Sequence, residues 1–290
     1  MGGHATITVV GSKPGMLDSA SAELDRLEKL WSRFLPDSDV SRMNNAEGAP
    51  TRVDTLTVTL LDAMRFASAE TDGDYDPSLL PALVEAGYRV SLVHHDRSTL
   101  LPSSARAGGQ LSMIRTVGNL VTVPLGLTID AGGIAKGHAA GLICTRLRDA
   151  GAEGAMVEIA GDIVVFGRAP DEVAWRLGVE DPFDTAKHLD VIRLSDGAVA
   201  TSSRLKRRWT VDGARHHHLI DPRTGQSSVS TTVAATIIAN SGARAETLAK
   251  VAFMRDVRDT LEWLPSRGAA GLIVTEDGVV HVSSNWENYR

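Results

Sequence analysis

The chain has 290 residues, 43% hydrophobic and 23% charged, a globular balance that excludes wholesale disorder and leaves ample apolar material for a core. Thirty Lys and Arg against 36 Asp and Glu give a net charge of −6, so bulk electrostatics repel nucleic acid and anionic lipid. A single cysteine, Cys144, excludes an internal disulfide and a cysteine-based zinc cluster, and no apolar run approaches the roughly 18–20 residues of a membrane span. The opening MGGHATITVVG lacks the basic-then-apolar pattern of a signal peptide, so the expected location is the cytoplasm. It reads instead as a strand over Ala5–Val10, ending at Gly11.

A helix follows, capped by Asp18 or Ser19, with Leu24, Leu27, Leu30 and Trp31 on one face. Phe34, Pro36 and Asp37 end it, and Ser38 caps a short helical turn closing at Asn44. Asp54 or Thr55 opens the next helix, with Leu56, Leu60, Met64 and Ala67 at 3–4 spacing. A polar loop, TDGDYDP, leads through Pro77 into a short apolar helix. His94–Gly109 has little periodicity and reads as a surface excursion, and Val117–Gly118–Asn119–Leu120 as a hairpin turn.

Leu127–Asp130 (LTID) reads as a strand, the following AGGIAKGHAAGLICTRLRDAG as a helix, and AMVEIAGDIVVFG as two short strands about Gly161. Strand signals dominate from Trp175 to Thr201. A polar loop over His216–Ser230 precedes a buried strand, Val233–Ala239, a helix, Ala243–Phe253, and a strand pair turning at Asp277–Gly278. Strands and helices mix without a βαβ rhythm and without a linker, so the expected fold is α+β, one domain over residues 1–290 with largely antiparallel sheets.

Three segments carry candidate chemistry. In DAGGIAKGHAAG, the glycines turn the chain into a helix whose first N–H groups and Lys136 can hold an anion. Gly133, Gly137 and Gly141 also recur every four residues, leaving a bare face for close packing. Lys136 is followed by Gly, not Ser or Thr, so this is no Walker loop. In HHHLIDPRTG, the three histidines alternate faces on an extended chain, so at most two of His216, His217 and His218 share a ligand sphere. The DPRTG that follows is equally a plain turn. The third segment holds Asp72, Asp74 and Asp76 around Tyr75, a spacing that suits hard cations or simple turn capping.

Taken in order, these segments resemble the FAD:protein FMN transferases, the ApbE-like flavin transferases. MGGHATITV, SRFLPDSDVSRMN, GDYDPSLLPAL, DAGGIAKGHAAG, IAGDIVVFG, VATSS and HLIDPRTG are each similar to a family segment, from residue 1 to about residue 255. In IAGDIVVFG, Ala160 stands where the family has the first of two glycines. The resemblance implies an enzyme that splits the FAD pyrophosphate, leaves FMN esterified to a threonine of an acceptor flavoprotein, and releases AMP. It assigns FAD contacts to Met1, Phe34, Asp74, Tyr75, Asp76, Asp130, Lys136 and His218. Phe34 or Tyr75 would cover the isoalloxazine, Asp130 would take a ribose or base donor, and Lys136 would neutralise the pyrophosphate. His218 is the candidate base, with Lys136 and Asp221 completing the catalytic set.

The resemblance also implies Mg²⁺, on a carbonyl near Gly133 and on an Asp and a Thr four residues apart on a late helix. Here AETLAKVAF places Glu246 and Lys250 at those positions. An ammonium has no lone pair to give a metal. Either Lys250, paired to Glu246, replaces the ion, or the two form an ordinary surface i,i+4 pair and the site is lost. The alternatives to FMN transfer are an FAD pyrophosphatase giving FMN and AMP, and an FAD-binding protein without transferase activity.

Overall fold

The computed structural model describes residues 3–211 and 213–290. Met1, assigned to FAD by the resemblance, lies outside them. Seven α-helices are found among the described residues: α1 (Met16–Trp31), α2 (Asp39–Asn44), α3 (Thr55–Glu70), α4 (Leu80–Glu85), α5 (Ala135–Asp149), α6 (Gly242–Val251) and α7 (Val257–Trp263). The sheets are antiparallel throughout, as the α+β expectation requires. The chain divides into two compact units, one of Asp25–Ala135 with Arg207–Ser228, the other of Gly3–Leu24, Lys136–Lys206 and Val229–Arg290.

The second unit is built on a seven-stranded sheet. Its order is Ala5–Val10, Gly154–Ile159, Asp162–Gly167, Asp196–Ser203, Thr232–Ala239, Ala270–Thr275 and Val280–Val282. All eight residues of Thr232–Ala239 are buried, so both faces of this central strand are covered. On one face, Ala234 and Ile238 join Trp175, Leu177 and Val179 of the hairpin Trp175–Glu180/His188–Leu194 in a single apolar cluster with Trp286. The helix α6 packs against Asp196–Ser203 and Thr232–Ala239. Cys144 on α5 is buried, its Sγ 3.5 Å from the Val164 carbonyl. Burial pushes its thiol up to about 12, which leaves it an inert apolar filler.

The first unit packs an apolar core that includes Leu79, Leu83 and Ile220, and its helices are capped locally. Ser38 Oγ accepts the Ser41 N–H at the start of α2, and Asp54 Oδ1 accepts that of Leu56 at the start of α3, as the sequence predicts. Thr51–Arg52, Leu120–Thr122 and Arg115–Val117 form a three-stranded sheet turning at Gly118–Asn119, again as expected. Leu127–Asp130 is not a strand. The Asn44 side-chain amide donates to the Ile129 carbonyl and accepts its N–H, both at 2.8 Å, and the Asp130 N–H goes to the Pro77 carbonyl at 2.8 Å. A side chain and a loop thus satisfy backbone groups that a neighbouring strand would otherwise bond. The first helix begins two or three residues earlier than its expected caps, at Met16.

The glycine face expected on α5 is real at one position. A Cβ on Gly137 would lie 2.1 Å from the Gly242 carbonyl oxygen, and one on Gly242 would lie 2.2 Å from that of Gly137. The two helices touch through bare backbone there. At Gly141 a Cβ meets nothing within 4 Å, so that glycine serves no packing contact. Gly137→Ala is therefore expected to destabilise the fold by roughly 1–3 kcal/mol through overpacking. Gly141→Ala should raise stability by about 0.5–1 kcal/mol through helix propensity. Thermal melts of the two variants give opposite signs if this contact is as described.

Candidate active site

Each unit holds one cluster of candidate residues. In the first unit, Asp130 is fixed from four sides. Its backbone is held by Pro77 and by the Asn44 clamp on Ile129. Its carboxylate accepts the Gly132 N–H at 3.2 Å and stands 3.4 Å from Arg33 Nε. A Cβ on Gly132 would lie 3.0 Å from Asp130 Oδ2, so a side chain there would crowd the carboxylate.

Arg33 itself is buried. It donates to Thr99 Oγ1 at 2.6 Å and to the Tyr88 carbonyl at 3.0 Å. Its guanidinium lies 4.3 Å from the centroid of the Phe34 ring and 4.7 Å from that of Tyr88. Tyr88 in turn packs on Trp209 with centroids 5.2 Å apart, and the Trp209 indole N–H donates to the Ala86 carbonyl at 2.5 Å. Phe34 is thus the half-buried end of an aromatic and cationic stack. Sequence reasoning missed Arg33, Asn44, Tyr88 and Trp209. Arg33 and Asn44 sit inside the quoted SRFLPDSDVSRMN segment, and their spacing from Asp130 hides the pairing.

The acidic loop proves to be mainly a turn. Asp76 Oδ1 accepts both the N–H and the hydroxyl of Ser78, at 2.7 and 2.6 Å, the capping alternative. Tyr75, expected as an open stacking ring, is only 4% exposed, and its N–H donates to Thr71 Oγ1 at 3.1 Å. Phe34 is left as the aromatic for a planar ring. His217 has both ring nitrogens on backbone groups, Nε2 3.1 Å from the Ser228 carbonyl and Nδ1 accepting the Leu219 N–H at 3.3 Å. His218 is half-buried and gives its N–H to the Arg207 carbonyl at 3.3 Å. Asp221 is engaged by the N–H, Nε and Nη2 of Arg223 at 2.9–3.0 Å. Burial raises its carboxyl, but these Arg223 bonds outweigh that and hold it below the usual range. The DPRTG segment is therefore a turn closed by its own arginine.

The second unit contains the cluster around Glu246, which is 1% exposed. Its Oε1 takes the Lys136 ammonium and stands 3.4 Å from Lys250 Nζ, while its Oε2 accepts the Gly137 N–H at 2.9 Å. Lys250 Nζ also donates to the Glu246 carbonyl at 3.2 Å. Lys136 reaches a second carboxylate, Asp162 Oδ2, at 2.7 Å. The surface-pair alternative for Glu246 and Lys250 is thereby overturned. Burial raises Glu246, but Lys136 first, then Lys250 and the Gly137 N–H, hold it below its ordinary value. Burial pushes Asp162 the other way, above its ordinary value, against the pull of Lys136. Lys136, expected as a donor toward a pyrophosphate, is here committed to two carboxylates.

Asp162 stands at the Asp of the family's Gly-Gly-Asp segment that IAGDIVVFG resembles, but its pairing with Lys136 had no signal in the sequence. Ala160 and Gly161 both have positive φ, +53° and +91°, joining strands that pair Ile159 with Asp162. Such a two-residue turn starts the second strand at once and sets Asp162 toward Lys136. The Ala–Gly pair does this with a left-handed alanine.

A Mg²⁺ ion fits poorly among these groups. Both oxygens of Glu246 are already taken by cationic or N–H donors, and the position four residues on is an ammonium. Among the described residues, no group of three His, Cys, Asp or Glu is placed to hold a metal.

A family model described as the ApbE family matches residues 1–273. The chain belongs to the ApbE family. A FAD:protein FMN transferase of Vibrio cholerae is 30% identical over 250 residues, 82% of this chain and 74% of the relative. The crystal structure of the ApbE protein of Thermotoga maritima superposes with a TM-score of 0.84 at 28% identity, covering 98% of this chain and 94% of that one. That of the Pseudomonas stutzeri flavinyl transferase ApbE, in its apo form, gives 0.81 at 26%, covering 98% and 92%. The mixed architecture with antiparallel sheets is thus the ApbE fold. No helix among the described residues is long and apolar enough to cross a membrane.

Two consequences are measurable. Ala160→Gly should stabilise this ApbE chain by up to about 1 kcal/mol in chemical denaturation, relieving the left-handed strain against a larger unfolded-state entropy. His138, on α5, has its imidazole lowered from 6.5 to about 4 by burial. The unfolded chain takes up that proton near 6.5 and the folded chain resists it until about 4, so stability falls as pH drops through this window. The loss reaches about 3 kcal/mol at its acid end. Melting temperatures from pH 7 to 4.5 should decline less steeply in His138→Gln than in the wild type.

Proposed function

We propose that this chain is an FAD:protein FMN transferase. It would cleave the FAD pyrophosphate and attach FMN to a threonine of an acceptor flavoprotein. What carries the reading, beyond family membership, is the clamped Asp130 carboxylate. Arg33, the Gly132 N–H, Pro77 and Asn44 fix it against a guanidinium that stacks on the Phe34 ring, without burying it completely, its side chain keeping 15% of its exposure. A pre-set acceptor next to an aromatic surface suits a ligand that joins a hydroxylated ribose to a planar ring.

In the reaction, the threonine Oγ bonds to the FMN-side phosphorus and the P–O bond to the AMP phosphate breaks. The hydroxyl proton passes to His218, the base assigned here, and AMP leaves with the bridging oxygen. Asp74 and Asp76 shape the loop on the FAD side, and Asp221 stiffens the turn after His218. Lys136 acts as a positioning residue, tying the first turn of α5 to Glu246 and Asp162. Among the described residues, the oxygens of Glu246 are held by Lys136, Lys250 and the Gly137 N–H, which leaves them poor ligands for Mg²⁺.

The test is incubation with FAD and an acceptor flavoprotein domain, following AMP release and the flavin-bound mass of the acceptor. The wild type should yield both products. In His218→Ala the transfer rate should fall by about 10²–10⁴-fold at saturating FAD. AMP released equally without acceptor would reassign the chain as an FAD pyrophosphatase, and FAD recovered intact with acceptor present would reduce it to a flavin-binding protein.

A further inference from the structure

We propose that Lys250 is a built-in cation. Its ammonium takes the place of a divalent ion in the Glu246 cluster, so this chain neither binds nor needs one there. The argument starts from charge. Two ammoniums, Lys136 and Lys250, meet two carboxylates, Glu246 and Asp162, and the cluster sums to zero while almost wholly buried. Glu246 is inaccessible, and the side chains of Asp162, Lys136 and Lys250 keep only 5%, 11% and 16% of their exposure. A buried cluster tolerates little net charge, because each uncompensated ion loses several kcal/mol of hydration. Adding a divalent cation would leave it at +2.

Geometry agrees with the charge balance. Magnesium requires near-octahedral oxygen ligands at about 2.0–2.1 Å. Glu246 Oε1 is shared by two ammoniums, and Oε2 is held by the Gly137 N–H. Lys250 is itself anchored, its Nζ donating to the Glu246 carbonyl one helical turn back at 3.2 Å. An ion entering this cluster would have to expel an ammonium and break the bond that holds the start of α5 against α6. The ammonium is covalently attached to the chain, so dilution and chelators cannot remove it.

The consequence for catalysis rests on the transferase reading, but the site itself can be tested without FAD. We would titrate the full chain with Mn²⁺ by electron paramagnetic resonance and record melting temperatures with excess Mg²⁺ and with excess chelator. The wild type should bind no Mn²⁺ at this cluster, and its melting temperature should be unmoved by either addition. Lys250→Thr leaves Lys136 alone against two carboxylates. It should gain one Mn²⁺ per chain and a Mg²⁺-dependent rise of roughly 4–8 °C at a hundredfold excess over Kd.

One equivalent of Mn²⁺ on the wild type, lost in Glu246→Gln, would overturn the proposal whatever FAD does. Should Lys250→Thr fail to fold, Lys250→Arg decides. It keeps the charge and should stay as indifferent to Mg²⁺ and chelator as the wild type, and a metal requirement in Lys250→Arg counts against the built-in cation. Absence of FMN transfer by a wild type that ignores Mn²⁺ would sink the transferase reading while leaving the cation in place.

Discussion

Glu246 is the buried junction on which the charged cluster of the second unit depends. One oxygen gathers two ammoniums and the other takes a backbone N–H from the first turn of α5. That last bond is possible because α5 and α6 approach through Gly137 and Gly242 with no side chain between them. The carboxylate, the two glycines and the tight turn that delivers Asp162 form one mutually dependent arrangement. A carboxylate buried to this degree is tolerated only when its lone pairs are satisfied, and here all the partners come from elements that the same packing brings together. Substituting any one of them exposes the desolvation cost of the others.

The cluster around Asp130 follows a different logic. Its charge is held by a single arginine that is itself spread over an aromatic pair and a threonine, and part of the carboxylate still faces solvent. A fully satisfied buried charge is a structural element. A clamped but accessible one is an acceptor waiting for a donor, and the contrast between Glu246 and Asp130 separates scaffold from binding surface on physical grounds. Lys136, which looks like a phosphate ligand beside its glycines, is likewise tied to two buried carboxylates.

Local chemistry made much of the fold legible. Ser38 and Asp54 cap helices because their side chains reach N–H groups two or three residues away, and Asp277–Gly278 turns a strand pair. The full burial of Thr232–Ala239 follows from a run that is apolar apart from Thr232 and Thr236. Where satisfaction comes from far along the chain, sequence reading fails. LTID has the composition of a strand, but its partners are the Asn44 amide and the Pro77 carbonyl. Tyr75 was expected on an open loop and is a core ring. The four-residue spacing of Glu246 and Lys250 was readable, but their burial was not, because it is made by Lys136 and Asp162, 110 and 84 residues away in number. The family resemblance located the segments; only geometry showed which of their residues face each other.

The order of strands in the large sheet carries a consequence for how the protein is made. Ala5–Val10 pairs with Gly154–Ile159, and the interior strand Thr232–Ala239 lies between Asp196–Ser203 and Ala270–Thr275. The first strand must therefore wait until Gly154–Ile159 is made before it finds a neighbour, and the sheet stays open along its middle until Thr232–Ala239 is synthesised. Pairings so remote in sequence close slowly. During translation, Ala5–Val10 would sit as an unpaired edge, the kind of segment that invites association with other nascent chains. A sheet arranged this way cannot close before Ala270–Thr275 has been made.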